Sequence, residues 1–115
     1  VRQVVHHLAD AHMNGYIRMK LILTEDAPTL KAYDQNEWAK LPDVAVTPVA
    51  SSLELLYALH DRWCILLERV DEAGWKRTGV HGERGLLTLE DLLRIYTDHG
   101  EKHLGHLRGV REGAR

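Results

Sequence analysis

The residues best spaced for chemistry lie in the stretch Tyr96–Leu107, Y-T-D-H-G-E-K-H-L-G-H-L, where His99, His103 and His106 stand at i, i+4 and i+7. On a helix, at about 100° per residue, these side chains point within roughly 60° of one another. Leu89, Leu92, Leu93, Tyr96, Leu104 and Leu107 fall on or beside the same face, while Arg94, Asp98 and Glu101 point away. The histidines therefore face inward. A buried imidazole costs on the order of 1–3 kcal/mol unless it finds a partner. A metal ion is such a partner, since the i, i+4 spacing lets two ring nitrogens of one helix converge on a single ion. The competing reading is a set of core histidines that bond carbonyls or carboxylates, or lie wet at the rim of the face.

A helical HxxxH pair leaves an ion short of ligands, so a third should come from a facing helix. His6 and His7 are the candidates. His7 continues into Asn14 and Arg18 at i+7 and i+11, a polar seam on one face, whereas His6 points about 100° away. His12 and His60 read as ordinary packing histidines. Three imidazoles with open coordination positions form the catalytic pattern, because closed structural zinc sites use four protein ligands, commonly thiolates. Such an ion polarises a carbonyl, lowers the pKa of a bound water or binds a thiolate. His106, Asp10 and His81 are candidate proton carriers, and Asn14 and Arg18 would orient a polar or anionic substrate group. The alternative is a non-enzymatic helical binding module in which the ion staples helices together.

The elements that must position these residues follow from the pattern. Val1 to about Leu23 carries a helical apolar period and is predicted as one long helix, ended by T-E-D-A-P-T, where Pro28 cannot join the ladder. A short helix is predicted from Gln35 to Leu41, capped by Asp34 with Glu37 three residues on and pinned to the body by Trp38. Pro42 to Pro48 reads as an extended linker. Ser51 with Glu54 opens a second long helix, about Ser52 to Glu72, with Gly74 as a stop. Trp75 to Leu87, rich in glycine, is a loop or a short irregular hairpin. Thr88 with Asp91 caps a third long helix running to about Val110. The class is all-α and the chain, residues 1–115, is one domain. Three long helices leave one side of a core open where four would close a bundle. A first helix upstream of Val1, or one from a second subunit in a homodimer, is expected to cover it.

Composition narrows the function classes. A net charge of −2, with Lys and Arg scattered along the chain, gives no electrostatic footprint for nucleic acid or anionic lipid. The single cysteine, Cys64, has no internal disulfide partner and sits in an apolar run, W-C-I-L-L. No apolar run approaches about 18 residues and no signal pattern opens the chain, so a cytoplasmic protein without a membrane span is expected. The chain opens on Val1 in mid-helical pattern, as though a beginning were missing.

Three stretches in order, V-R-Q-V-V-H-H-L-A-D-A-H-M-N-G-Y-I-R-M-K, A-L-H-D-R-W and Y-T-D-H-G-E-K-H-L-G-H-L, closely resemble the YfiT branch of the DinB-like superfamily. That family comprises proposed metal-dependent hydrolases linked to bacillithiol S-transferase activity. The resemblance implies a four-helix bundle in up-down-down-up order, here without its first helix. It also implies one divalent ion, nickel or zinc, held by three histidines. Carried onto this sequence these are His7, His99 and His103, the ligand within H-H-L being the histidine before the aliphatic residue. His106 is then not expected to ligate, and His81 resembles a histidine of the loop before the last helix. The implied activity is a hydrolase, or a thiol S-transferase joining a low-molecular-weight thiol to an electrophilic small molecule.

Overall fold

The computed structural model describes residues 2–98, and the half of the last predicted helix that carries His99, His103 and His106 lies outside them. Helix α1 spans Arg2–Thr24, a stretch free of proline whose apolar period buries Ala9, Met19 and Ile22. Beyond it Ala27, caught before Pro28, adopts a left-handed φ of 40°. The chain then forms a two-residue strand β1, Thr29–Leu30. Arg77 closes the end of α1 from outside, its Nε donating to the Ile22 carbonyl at 2.8 Å and Nη2 to the Glu25 carbonyl at 3.0 Å. Those carbonyls have no partner within the helix itself.

Helix α2, Gln35–Ala39, is capped as predicted by the Asp34 carboxylate, which accepts from the Asn36 and Glu37 amides. Glu37 does not complete the box and instead pairs with Lys40. Trp38 reaches the body through a tilted contact with the Tyr33 ring, 4.7 Å between centroids. The expected linker from Pro42 to Pro48 is largely helical: Pro42–Val46 forms α3. Proline at the first position of a helix gives up an amide that would be unpaired anyway and presets φ, and the turn buries Val44. Helix α4 begins earlier than predicted, at Val49, and ends at Glu68. Pro48 stands at its N-cap, so Ser51 is inside the helix.

Gly74 is not a stop but part of a one-turn helix α5, Glu72–Trp75, whose start is capped by Asp71. The glycine-rich segment resolves to a hairpin, β2 Thr78–His81 against β3 Gly85–Thr88, antiparallel with Thr78 opposite Thr88. Gly85 takes φ 75°, which favours glycine at the end of the turn. Strand β1 pairs in parallel with β2, so an otherwise helical chain carries a three-stranded sheet of order β1-β2-β3. The period of the sequence could not reveal so short a β1. Helix α6, Leu89–Asp98, opens on the predicted capping box: the Thr88 amide donates to Asp91 and the Asp91 amide to Thr88 Oγ1, both at 3.0 Å.

The three long helices meet on Trp63, which is fully buried and donates its indole N–H to Met19 Sδ at 2.9 Å. Leu67, Trp75, Leu89, Leu92 and Leu93 complete the core, so the described part of α6 turns inward the face that the spacing assigns to it. Helices α1 and α6 approach through Gly15. A Cβ added there would stand 2.6 Å from Cζ of Tyr96. Burial raises the Cys64 thiol above its ordinary range, with Glu68 and Asp61 adding to the effect, so this cysteine is packing rather than nucleophile.

The Gly15→Ala substitution is therefore expected to destabilise the fold by about 1–2 kcal/mol, overpacking outweighing the helix propensity gained. Pairing it with Tyr96→Leu should cost less than the sum of the two single changes, as read by chemical denaturation.

Candidate functional site

A cavity of about 470 Å³ opens between α1, α6, the segment after β1 and the turn of the hairpin. Helix α1 supplies His7, Leu8, Ala11, His12 and Arg18; α6 supplies Leu92, Ile95 and Tyr96. Tyr33 and Gln35 come from the segment after β1, and His81, Glu83 and Arg84 from the hairpin. A larger groove of about 800 Å³ lies elsewhere along α1 and α4, lined by Lys20, Arg62, Arg69 and Arg77 with Asp71 as its one carboxylate. It contains no histidine or cysteine, whereas the first cavity is lined by His7, His12 and His81.

What occupies each ring nitrogen separates the histidines. His6 is 5% exposed, and both of its nitrogens are engaged: Nε2 donates to the Thr47 carbonyl at 2.9 Å, and Nδ1 accepts from the Ser52 hydroxyl. A carbonyl only accepts, so this tautomer is fixed and leaves no lone pair for an ion. His7, the next residue, is exposed at the cavity and makes no hydrogen bond among the described residues. It is free to ligate. His12 and His60 are both buried, and His12 Nδ1 lies 2.7 Å from His60 Nε2, one nitrogen donating to the other. They are thus joined to each other, within an aromatic cluster with Trp63 and Tyr96.

His81 Nδ1 accepts from the Glu83 and Arg84 amides, each at 3.1 Å. Backbone amides donate only, so in the neutral ring the proton sits on Nε2. His81 at the cavity is then a hydrogen-bond donor, not a base. Asp10 does not line the cavity. Its carboxyl is raised above the ordinary aspartate range by burial and then by Asp43, with His7 and His6 opposing. Asn14 faces a neighbouring hollow beside Tyr33 and Asp34, and its Nδ2 donates to the Asp10 carbonyl at 2.8 Å. Of the seam His7, Asn14, Arg18, the cavity receives the first and last.

Arg18 is clamped at both ends of its fork: Nη1 donates to Tyr96 Oη at 3.2 Å and Nη2 to the Lys31 carbonyl at 2.7 Å. Its Nε and the Tyr33 hydroxyl are both buried with no hydrogen-bond partner among the described residues. Tyr33 was not among the candidates drawn from spacing, because K-A-Y-D lies in an aperiodic segment. Among the described residues no three His, Cys, Asp or Glu side chains converge as a metal cluster. Two of the three proposed ligands, His99 and His103, lie beyond those residues, as does His106.

The pattern of the DinB superfamily matches residues 1–107. The chain belongs to the DinB superfamily. Within it the chain stands in the YfiT branch. It is 49% identical over 110 residues to a protein of Oceanobacillus iheyensis described as "Putative metal-dependent hydrolase", covering 96% of this chain and 63% of that one. With YfiT of Bacillus subtilis, described in the same words, identity is 44% over 108 residues, covering 93% and 61%. The solved structure of YfiT, described as "a probable metal-dependent hydrolase with an unusual four-helix bundle topology", superimposes with a TM-score of 0.83 at 42% identity. That superposition covers 97% of this chain and 65% of YfiT. The chain thus spans just under two thirds of the length of these DinB relatives. Its helical class is that of the YfiT bundle, with the small sheet lying beside the helices. Among the described residues no helix is long and apolar enough to cross a membrane.

Two outcomes follow. Nitrogen-15 NMR of the His81 ring should show Nδ1 unprotonated and Nε2 protonated in the neutral state, and the opposite tautomer would break this account of the hairpin. Because the native fold holds the Asp10 proton more tightly than the unfolded chain does, its contribution to stability falls as pH rises above about 4. The Asp10→Asn variant should accordingly melt higher than the parent at pH 7, with the gap closing toward pH 3.

Proposed function

We propose that the chain is part of a metal-dependent enzyme, a hydrolase or thiol S-transferase acting on a small molecule, with His7, His99 and His103 holding one divalent ion, zinc or nickel. The observation that carries this reading is the state of the two adjacent histidines of α1. His6 spends both nitrogens on Thr47 and Ser52, while His7 has both free among the described residues, in the cavity that α6 also lines. The metal-dependent relatives in the DinB superfamily support it.

All-imidazole donors suit zinc and nickel better than magnesium or calcium, which take oxygen. When bound, the ion supplies Lewis acidity toward an oxygen or sulfur of the reactants. The chain's own residues do the rest. The His81 Nε2–H donates to a substrate oxygen, fixed in that role by the two amides on Nδ1. Leu8, Leu92 and Ile95 give the cavity an apolar wall that limits water. Arg18, clamped by Tyr96 and Lys31, presents a fixed cation about three turns of helix from His7.

Untagged protein should carry about one equivalent of metal, lost from the His7→Ala and His103→Ala variants but retained in His6→Ala. The loaded protein should hydrolyse activated esters or amides, or conjugate a low-molecular-weight thiol to an electrophile. Metal retained in His7→Ala would contradict the assignment, and stoichiometric metal with neither activity would favour the metal-stapled binding module.

A further inference from the structure

Arg18 and Tyr33 both line the cavity, and each carries a buried polar atom that is unsatisfied among the described residues. Arg18 Nε and the Tyr33 hydroxyl are out of contact with water and have no partner among the described residues, although most buried polar groups are paired. The guanidinium lies 5.9 Å from the centroid of the Tyr33 ring, so the two groups are neighbours. The fork is already held at Nη1 and Nη2 by the Tyr96 hydroxyl and the Lys31 carbonyl. That leaves the Nε edge as the one without a partner among the described residues, and an arginine edge matches a planar carboxylate with two parallel N–H groups. A phenol O–H beside it supplies a third donor. Burial, together with the nearby Tyr96, raises the Tyr33 phenol above its ordinary range, against the pull of Arg18, so it stays protonated and able to donate.

We infer that Arg18 and Tyr33 form a carboxylate-binding subsite, so that the small molecule turned over at His7 carries a carboxylate at its far end. This rests on the reading of the cavity as the active site and narrows its substrate class. His7 and Arg18 are 11 residues apart on α1, roughly 16 Å between Cα atoms at 1.5 Å per residue. Helical side chains lean toward the N-terminus, so Arg18 reaches back toward His7. The ligand is therefore an extended molecule on the order of 10 Å long, with its reactive group and its carboxylate at opposite ends. The other charged residues of the lining, Glu83 and Arg84, are neighbours in the turn of the hairpin, one of each sign.

The test is direct binding, read by NMR chemical-shift titration and calorimetry on the protein as purified, with glutarate, its neutral diamide glutaramide, and inorganic phosphate as probes. Glutarate is expected to bind at least tenfold tighter than either of the others. The Tyr33→Phe variant should weaken glutarate roughly tenfold, the effect of losing one hydrogen bond to a charged group, and should melt no lower than the parent, because the hydroxyl it removes is unsatisfied. The Arg18→Gln variant should abolish glutarate binding. The Arg18→Gln variant should keep its bound metal while it loses glutarate, which separates this subsite from the metal-site reading. Equal binding of glutarate and glutaramide would overturn the proposal. So would phosphate binding as tightly as glutarate, Tyr33→Phe binding glutarate as the parent does, or Arg18→Gln keeping glutarate binding.

Discussion

The contact between Gly15 of α1 and the ring of Tyr96 on α6 sets the geometry on which the candidate site depends. With no Cβ at position 15, the tyrosine ring lies against the helix backbone, and the two helices come closer than any larger side chain would allow. That approach brings the inward face of α6 alongside the His7 face of α1. It also places the Tyr96 hydroxyl where Arg18 reaches it, tying the packing contact to the polar end of the cavity. One small residue thus couples the separation of the helices, the volume between them and the pose of the arginine.

Hydrogen-bond bookkeeping then sorts chemistry from architecture. His6 is a strut between α1 and the Thr47–Ser52 region, and the His12–His60 pair links α1 to α4 within the aromatic core. These three imidazoles meet their partners inside the protein and hold helices together. Among the described residues, solvent-accessible His7 and the Nε2 edge of His81 are left over at the cavity, and the buried Arg18 Nε and Tyr33 hydroxyl of its lining residues have no partner. A folded chain seldom tolerates idle polar groups out of water without cause. The idle groups here gather in one place, which is what a binding site looks like before its ligand arrives.

Much of the architecture was legible in the sequence because it rests on periodicity and capping, both of which are local. The faces of α1, α4 and α6, the Asp34 cap and the Thr88–Asp91 box could all be read from spacing. The readings that failed involve tertiary context. Pro42–Val46 looks like a linker until one sees that Val44 has a core to enter. Strand β1 is two residues long and exists because the hairpin pairs with it. In the cavity, His7 and Arg18 followed from helical arithmetic, but Asn14 on the same seam is turned to a neighbouring hollow. Tyr33 was invisible because its segment has no period, and its relation to Arg18 spans a turn that no local rule specifies. His6 and His7 could not be separated by spacing alone beyond a difference in direction; the Thr47 and Ser52 contacts distinguish them.

The central claim is that one ion is held by imidazoles from α1 and from the HxxxH sequence that follows α6, with His7 and not His6 as the contribution of α1. X-ray absorption at the metal edge of the loaded protein addresses it most directly. The account predicts a first shell containing three imidazole nitrogens at about 2.0–2.1 Å, without sulfur, unchanged in His6→Ala, and no bound metal left to give a signal in His7→Ala. A sulfur shell, an oxygen-only shell, or metal that is lost with His6 instead of His7 would contradict it.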